Sequence, residues 1–214
     1  MKKLLIANRG EIAIRIGQTA NELGYSTIAV FPEDDANSLH VQQSDESIQI
    51  PGVGAQAYLN IEEIINAAKL CAADAVHPGY GFLSENPNFA KACDDAGINF
   101  VGPTADQLSI FGNKAGARAL AAELGIPLVR GTNEDTSLAA VIGFHDQHSD
   151  KGVVIKAISG GGGRGMRIVE DRNDIEKSYE RCKSEANLAF GDDRVYVELL
   201  IQRARHIEVQ ILGD

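Results

Sequence analysis

The chain has 214 residues, 20 of them basic and 30 acidic, for a formal net charge of −10. With 44% hydrophobic and 23% charged residues it has the make-up of an ordinary globular chain, which excludes wholesale disorder. The acidity argues against nucleic-acid and anionic-membrane partners, which select positive fields, but not against a nucleotide, which needs only local backbone donors and a few lysines.

No run approaches the ~18 apolar residues of a membrane span. The start, MKKLLIANRGE, meets charge at Arg9, too soon for a secretory leader. Cys71, Cys93 and Cys182 are odd in number and widely spaced, so neither a disulfide framework nor a zinc knuckle is suggested. Three reduced thiols and a cytoplasmic compartment are expected.

In chain order, residues 3–7 (KLLIA) read as a buried strand. Residues 11–23 carry Ile12, Ile16, Ala20 and Leu23 at helical spacing, stopped by Gly24. Strands follow at 26–31, 47–50, 74–77 and 99–101, with helices at 61–72 and 87–95 and the polar PEDDANS loop after the second strand. Strands alternating with helices imply a doubly wound α/β domain with a parallel sheet over residues 1–102.

Residues 104–111 and 114–124 read as two short helices of a connector spanning 103–127. Beyond it the pattern turns to β: 152–157 (GVVIKA), 166–169, 194–199 and 206–212 (HIEVQIL), with one long helix over 174–190. This suggests a small α+β unit over 128–200. The last strand has almost nothing after it, so the chain is expected to stop just inside a third unit, unless that strand closes the second sheet.

The strongest local signal is KAISGGGGRGM at 156–166. Four consecutive glycines between two strands let the backbone approach an anion closely and aim successive N–H groups at it. Lys156, at the end of the preceding strand, adds a point charge. A strand follows the glycines, so this is neither a P-loop nor a dinucleotide fingerprint; the competing reading is a loose hairpin.

Lys114 opens a helix and either shares an anion with that helix N-terminus or is a solvated lysine. Glu198 ends a strand, either as a reader of a purine edge or as a surface charge. His206 and Glu208 share a face of the last strand by its period of two. HPGYGFLSEN at 77–86 and Arg9-Gly10-Glu11 each follow a strand, where ligands of open α/β sheets bind and where tight loops also occur.

Four blocks together, IANRGEIA at 6–13, HPGYGFLSEN at 77–86, KAISGGGGRGMR at 156–167 and RHIEVQILGD at 205–214, resemble biotin carboxylase. That family is the ATP-grasp component of acyl-CoA, pyruvate and urea carboxylases, and the resemblance runs the length of the chain. It implies an ATP-grasp lid over 128–200 and the start of a largely missing C-terminal ATP-grasp domain at 201–214.

By position, Lys114 and Lys156 match phosphate-binding lysines, and Gly162 and Gly163 match the phosphate glycines of the lid. Met166 matches the residue packed on adenine, Glu198 to Ile201 the hinge reading the adenine edge, and His206 a nucleotide contact. Tyr80 and Gly81 match a loop bordering the biotin pocket. Leu199 departs from the usual lysine of the hinge, a change that a backbone contact to adenine survives. Gln18 departs from an arginine of dimeric bacterial members, which puts their dimer contact in doubt.

The implied reaction of the complete ligase uses MgATP to phosphorylate bicarbonate and then carboxylates biotin on a carrier. A biotin carrier and a carboxyltransferase are the implied partners. The magnesium ligands, the base and the biotin-orienting arginine of the family fall in the third domain, so no catalytic or metal residue is assigned and this chain alone is expected to be inactive. Two alternatives stand: another ATP-grasp ligase of the carbamoyl-phosphate synthetase kind, or a non-catalytic nucleotide-binding or assembly module.

Overall fold

The computed structural model describes residues 2–132, 134–148, 151–159, 165–211 and 213. The backbone divides into two units, residues 1–112 and residues 113–214.

The first unit runs β1 (Lys3–Ile6), α1 (Gly10–Glu22), β2 (Ser26–Phe31), α2 (Leu39–Gln42), β3 (Glu46–Gln49), α3 (Gly54–Ala57), α4 (Ile61–Leu70), β4 (Ala75–His77), α5 (Pro87–Asp95), β5 (Asn99–Phe100) and α6 (Ala105–Gly112). Its five strands are ordered β3-β2-β1-β4-β5, and every pairing is parallel. The period of two in β1 sends alternate residues to opposite faces. Leu4 and Ile6 pack with Ala13, Ile16 and Ala20 of α1, while Leu5 joins Ile28, Val30, Ile64, Val76 and Phe89 on the other face. Burying each such side chain contributes roughly 1.5–3 kcal/mol, which is what holds a strand of unbroken apolar residues in the middle of a sheet.

The helices start where the sequence supplies a cap. The Asn60 side chain accepts from the Glu63 N–H, and the Asn86 side chain accepts from Asn88 and Phe89 ahead of α5, with Pro87 in the first turn.

The second unit runs α7 (Lys114–Glu123), α8 (Leu138–Asp146), β6 (Val153–Ala157), β7 (Met166–Val169), α9 (Ile175–Phe190) and β8 (Val195–Leu199). Its sheet is antiparallel, ordered β7-β6-β8. One face is covered: Val153, Ile155, Val169, Val195 and Val197 pack against Ile175, Tyr179 and Cys182 of α9 and Val141 of α8. The opposite face therefore carries the alternate residues, among them Lys156, Met166, Tyr196 and Glu198.

Two findings depart from the sequence reading. Residues 138–146, given no element there, form α8, capped by the Ser137 side chain. The strand expected at 206–212 is absent from its described part: residues 204–211 carry no regular structure, and Ile207, Val209 and Ile211 are exposed. Their alternation suits a strand, but a strand needs a neighbour to satisfy its N–H and C=O groups.

Candidate functional site

The polar face of the second unit gathers the chemistry. The register sets Met166, Lys156 and Tyr196 in one row across β7, β6 and β8, and Glu198 lies two residues beyond Tyr196 on the same side. Glu198 is 7% exposed, so its charge requires partners. It has two. Its Oε2 accepts from Lys156 Nζ, and its Oε1 accepts from Arg118 at 2.5 Å.

Lys114 and Arg118 come from α7. The Asn113 side chain accepts from the Gly116 N–H at 3.0 Å and fixes its first turn, and the spacing of four puts Lys114 and Arg118 on one side of the helix. Lys114 Nζ donates to the Ala157 carbonyl at 3.4 Å, beside Lys156. Burial holds the Lys114 ammonium below the usual lysine range and the positive Lys156 adds to this, while Glu198 opposes it. Burial, with Glu198 nearby, pushes the Tyr196 hydroxyl up to about 12, so it stays protonated. Among the described residues, one buried carboxylate stands with three cations here, a balance that suits an anion carrying more than one charge.

The segment before the sheet completes the edge of β8. Thr132 N–H donates to the Val197 carbonyl and Leu199 N–H to the Arg130 carbonyl, both at 2.9 Å. Only glycine allows this approach at residue 131, where a Cβ would stand 2.5 Å from the Val197 carbonyl oxygen. Leu200 N–H in turn donates to the Gly152 carbonyl at 3.1 Å.

Of the expected nucleotide residues, Lys114, Lys156 and Glu198 are brought together by these contacts. Met166 stands beside Lys156 in the sheet register, 40% exposed. Leu199 closes β8 and Ile201 follows it, exposed. His206 is not brought to the cluster: it is exposed, with its Nε2 3.7 Å from Glu208. Gly162 and Gly163 lie outside the described residues. The described chain on the near side of that loop is anchored, since Ser159 Oγ donates to Asp192 at 2.6 Å. Arg118 was missed in the sequence, although its spacing of four from Lys114 was a usable signal.

In the first unit, the loop after β4 is built on Asn8. This buried side chain donates to the Pro78 carbonyl at 2.7 Å and the Tyr80 carbonyl at 2.9 Å. Gly79 has φ +66°, and a Cβ there would stand 2.7 Å from Asn8 Nδ2, so the loop and Asn8 fit only around glycine. Gly79 N–H donates to His77 Nδ1, and burial lowers the His77 pKa, which keeps the ring a neutral acceptor. Tyr80 is 61% exposed and its hydroxyl donates to Glu11, which raises its pKa. Gly81 follows at φ +66°. Arg9, directly ahead of α1, pairs with buried Asp35 at 2.8 Å, and the Tyr58 hydroxyl donates to the second oxygen of Asp35 at 2.9 Å.

The second unit is matched over residues 113–214 by the carbamoyl-phosphate synthase L chain, ATP binding domain, and the first over residues 1–108 by the biotin carboxylase, N-terminal domain. Pyruvate carboxylase of Bacillus subtilis (strain 168) is 47% identical over 217 residues, covering 100% of this chain and 19% of that protein. Biotin carboxylase 1 of the same organism is 44% identical over 222 residues, covering 100% of this chain and 48% of its own length. The crystal structure of the biotin carboxylase-β,γ-ATP complex from Campylobacter jejuni superposes with a TM-score of 0.90 at 41% identity, covering 94% of this chain and 45% of that one. The chain thus spans about half or less of these relatives. Among the alternatives, a ligase of the carbamoyl-phosphate synthetase kind shares the second-unit match, whereas the first-unit match and these whole-chain relatives side with the carboxylase. Half of the chain is therefore accounted for by one family's own N-terminal domain, and the chain belongs to the biotin carboxylase family.

Proposed function

We propose that the polar face of the second sheet holds the nucleotide of a biotin carboxylase. Lys156 and Lys114 face the phosphates, Glu198 accepts from the adenine amine, and Met166 covers a face of the base. The N–H groups of Leu199 and Leu200 are engaged within the chain, and the base edge is proposed to meet the Leu199 carbonyl and the Ile201 N–H. Gly162, Gly163 and His206 belong to this proposal through the resemblance, as do Tyr80 and Gly81 on the biotin side. The observation that carries the reading is the cluster itself: among the described residues, a buried carboxylate stands with three cations on the sheet face opposite α8 and α9.

The whole protein's activity is part of the same proposal: ATP-dependent carboxylation of carrier-linked biotin from bicarbonate, with a carrier and a carboxyltransferase as partners. A biotin carboxylase domain dimer of a Hydrogenobacter thermophilus 2-oxoglutarate carboxylase has been solved with MgADP, ADP and bicarbonate, at 37% identity and a TM-score of 0.88; a homodimer is proposed on that likeness. The proposed extents are residues 1–102 for the α/β domain, 103–127 for the connector, 128–200 for the lid and 201–214 for the start of a third domain. Three unpaired cysteines fit a cytoplasmic location, while the rat relative is named as mitochondrial. Among the described residues, no three His, Cys, Asp or Glu side chains gather as a metal ligand set.

Base choice tests the reading. Adenine offers an amine to Glu198 where guanine offers a carbonyl oxygen, which a carboxylate repels. Calorimetric titration is expected to show ADP binding at least about tenfold tighter than GDP. Equal affinity for the two, or no binding of ADP, contradicts it.

A further inference from the structure

Arg118 is held from at least three sides. It donates to Glu198 Oε1 at 2.5 Å and to the Val129 carbonyl at 2.9 Å, and its guanidinium carbon lies 5.9 Å from the centre of the Tyr196 ring. The other carboxylate oxygen of Glu198 is taken by Lys156. One carboxylate thus serves two cations of different character. The Arg118 side chain is 12% exposed and pinned by its planar fork, whereas that of Lys156 is 30% exposed and ends in a single ammonium on a flexible stem.

The Lys156 ammonium has three N–H donors and spends one on Glu198; a phosphate that draws the ammonium towards itself weakens that bond. A buried carboxylate left without a partner is strongly disfavoured, so Lys156 is free to leave only while another cation stays. Lys114 does not stand in, because its ammonium is turned to the Ala157 carbonyl.

We propose that Arg118 is a positioning residue that releases Lys156 to the phosphates, by keeping Glu198 neutralised while the ammonium moves. The inference rests on the nucleotide reading above. It assigns Arg118 an effect on the phosphate half of the ligand and none on the base. Without Arg118, Lys156 becomes the cation that Glu198 cannot spare, and the nucleotide loses its phosphate contact while adenosine is bound as before.

The test compares ADP with adenosine by calorimetry or by ligand-observed NMR. Arg118→Met is expected to weaken ADP by about tenfold, the equivalent of ~1.4 kcal/mol, and to leave adenosine within about twofold. Arg118→Gln, which keeps a donor without the charge, reads the same difference should the methionine variant fail to fold. Arg118→Lys restores a cation and is expected to retain most of the preference for ADP over adenosine. Adding Glu198→Gln to Arg118→Met removes the charge that detains Lys156, and is expected to bring the preference back. Equal weakening of ADP and adenosine in the methionine or glutamine variant overturns the inference and leaves Arg118 a support of the fold. So does an Arg118→Lys variant as impaired as Arg118→Met. Absence of ADP binding by the unsubstituted protein overturns the nucleotide reading itself, and the inference with it.

Discussion

Arg118 and Glu198 lie eighty residues apart in the sequence and meet at 2.5 Å, tying the first helix of the second unit to the last strand of its sheet. This contact turns Glu198 from a strand-end charge into a buried group on which the neighbouring cations depend.

Removing that carboxylate takes the shared counter-ion from both of its cations. Glu198→Ala leaves Arg118 and Lys156 without their shared counter-ion at a largely buried position, and is expected to destabilise the second unit by about 3 kcal/mol. Glu198→Gln keeps hydrogen-bond acceptance and is expected to cost less. Urea unfolding of the three proteins measures the difference; an alanine variant as stable as the parent contradicts the coupling.

The approach of residues 130–132 to β8 depends on glycine. Gly131→Ala places a methyl 2.5 Å from the Val197 carbonyl oxygen, and overpacking of this kind costs about 1–3 kcal/mol. It is also expected to weaken ADP binding, because Leu199 N–H loses Arg130 as its acceptor. Gly112→Ala, where nothing stands within 4 Å of the new atom, is the control. Thermal melts and ADP titrations of the two variants decide it.

How much of this could be read from the chain follows from which patterns are local. β2 and α5 fall at the residues the sequence indicated, since each is an apolar pattern bounded by its own turn or cap. Helix α8 was not visible, because LAAVIG is an unbroken apolar run without the period of a helix face; its buried Val141 and His145 show the spacing of four only once the structure is known. The opposite error arose at 206–211, where alternating Ile207, Val209 and Ile211 promised a strand that has no neighbour among the described residues. Within the site, Lys156 and Glu198 were legible as strand ends. Their pairing was not, because strand register is a tertiary fact, and Arg118 had no local mark beyond its distance from Lys114.

Acid is expected to weaken the first unit through His40. The ring is buried between α2 and β2, with Nε2 3.4 Å from the Val30 carbonyl and 3.5 Å from the Tyr58 hydroxyl, and its Nδ1 has no hydrogen-bond partner among the described residues. Burial lowers its pKa below the ordinary value of 6.5, with Arg9 acting in the same direction and Asp35 opposing. His77 is lowered by burial as well. A base whose folded pKa is depressed takes up protons preferentially in the unfolded chain. The stability it leaves intact above about pH 6.5 therefore falls as the pH drops below that value. Urea unfolding followed from neutral to mildly acidic pH is expected to show this fall, and His40→Gln to make it shallower; identical slopes in the two proteins contradict the assignment.

That Lys156 meets nucleotide phosphate on the polar face of the second sheet is tested most directly by ADP titration of Lys156→Ala. Loss of one charged hydrogen bond of roughly 1.5–3 kcal/mol is expected to weaken ADP by about one to two decades. Lys156→Arg is expected to recover only part of this, since a planar fork does not replace a compact ammonium. Lys151→Ala, changing an exposed lysine just ahead of β6, is expected to leave the affinity unaltered. An affinity for ADP in Lys156→Ala within about twofold of the unsubstituted protein, well inside that expected loss, contradicts the account.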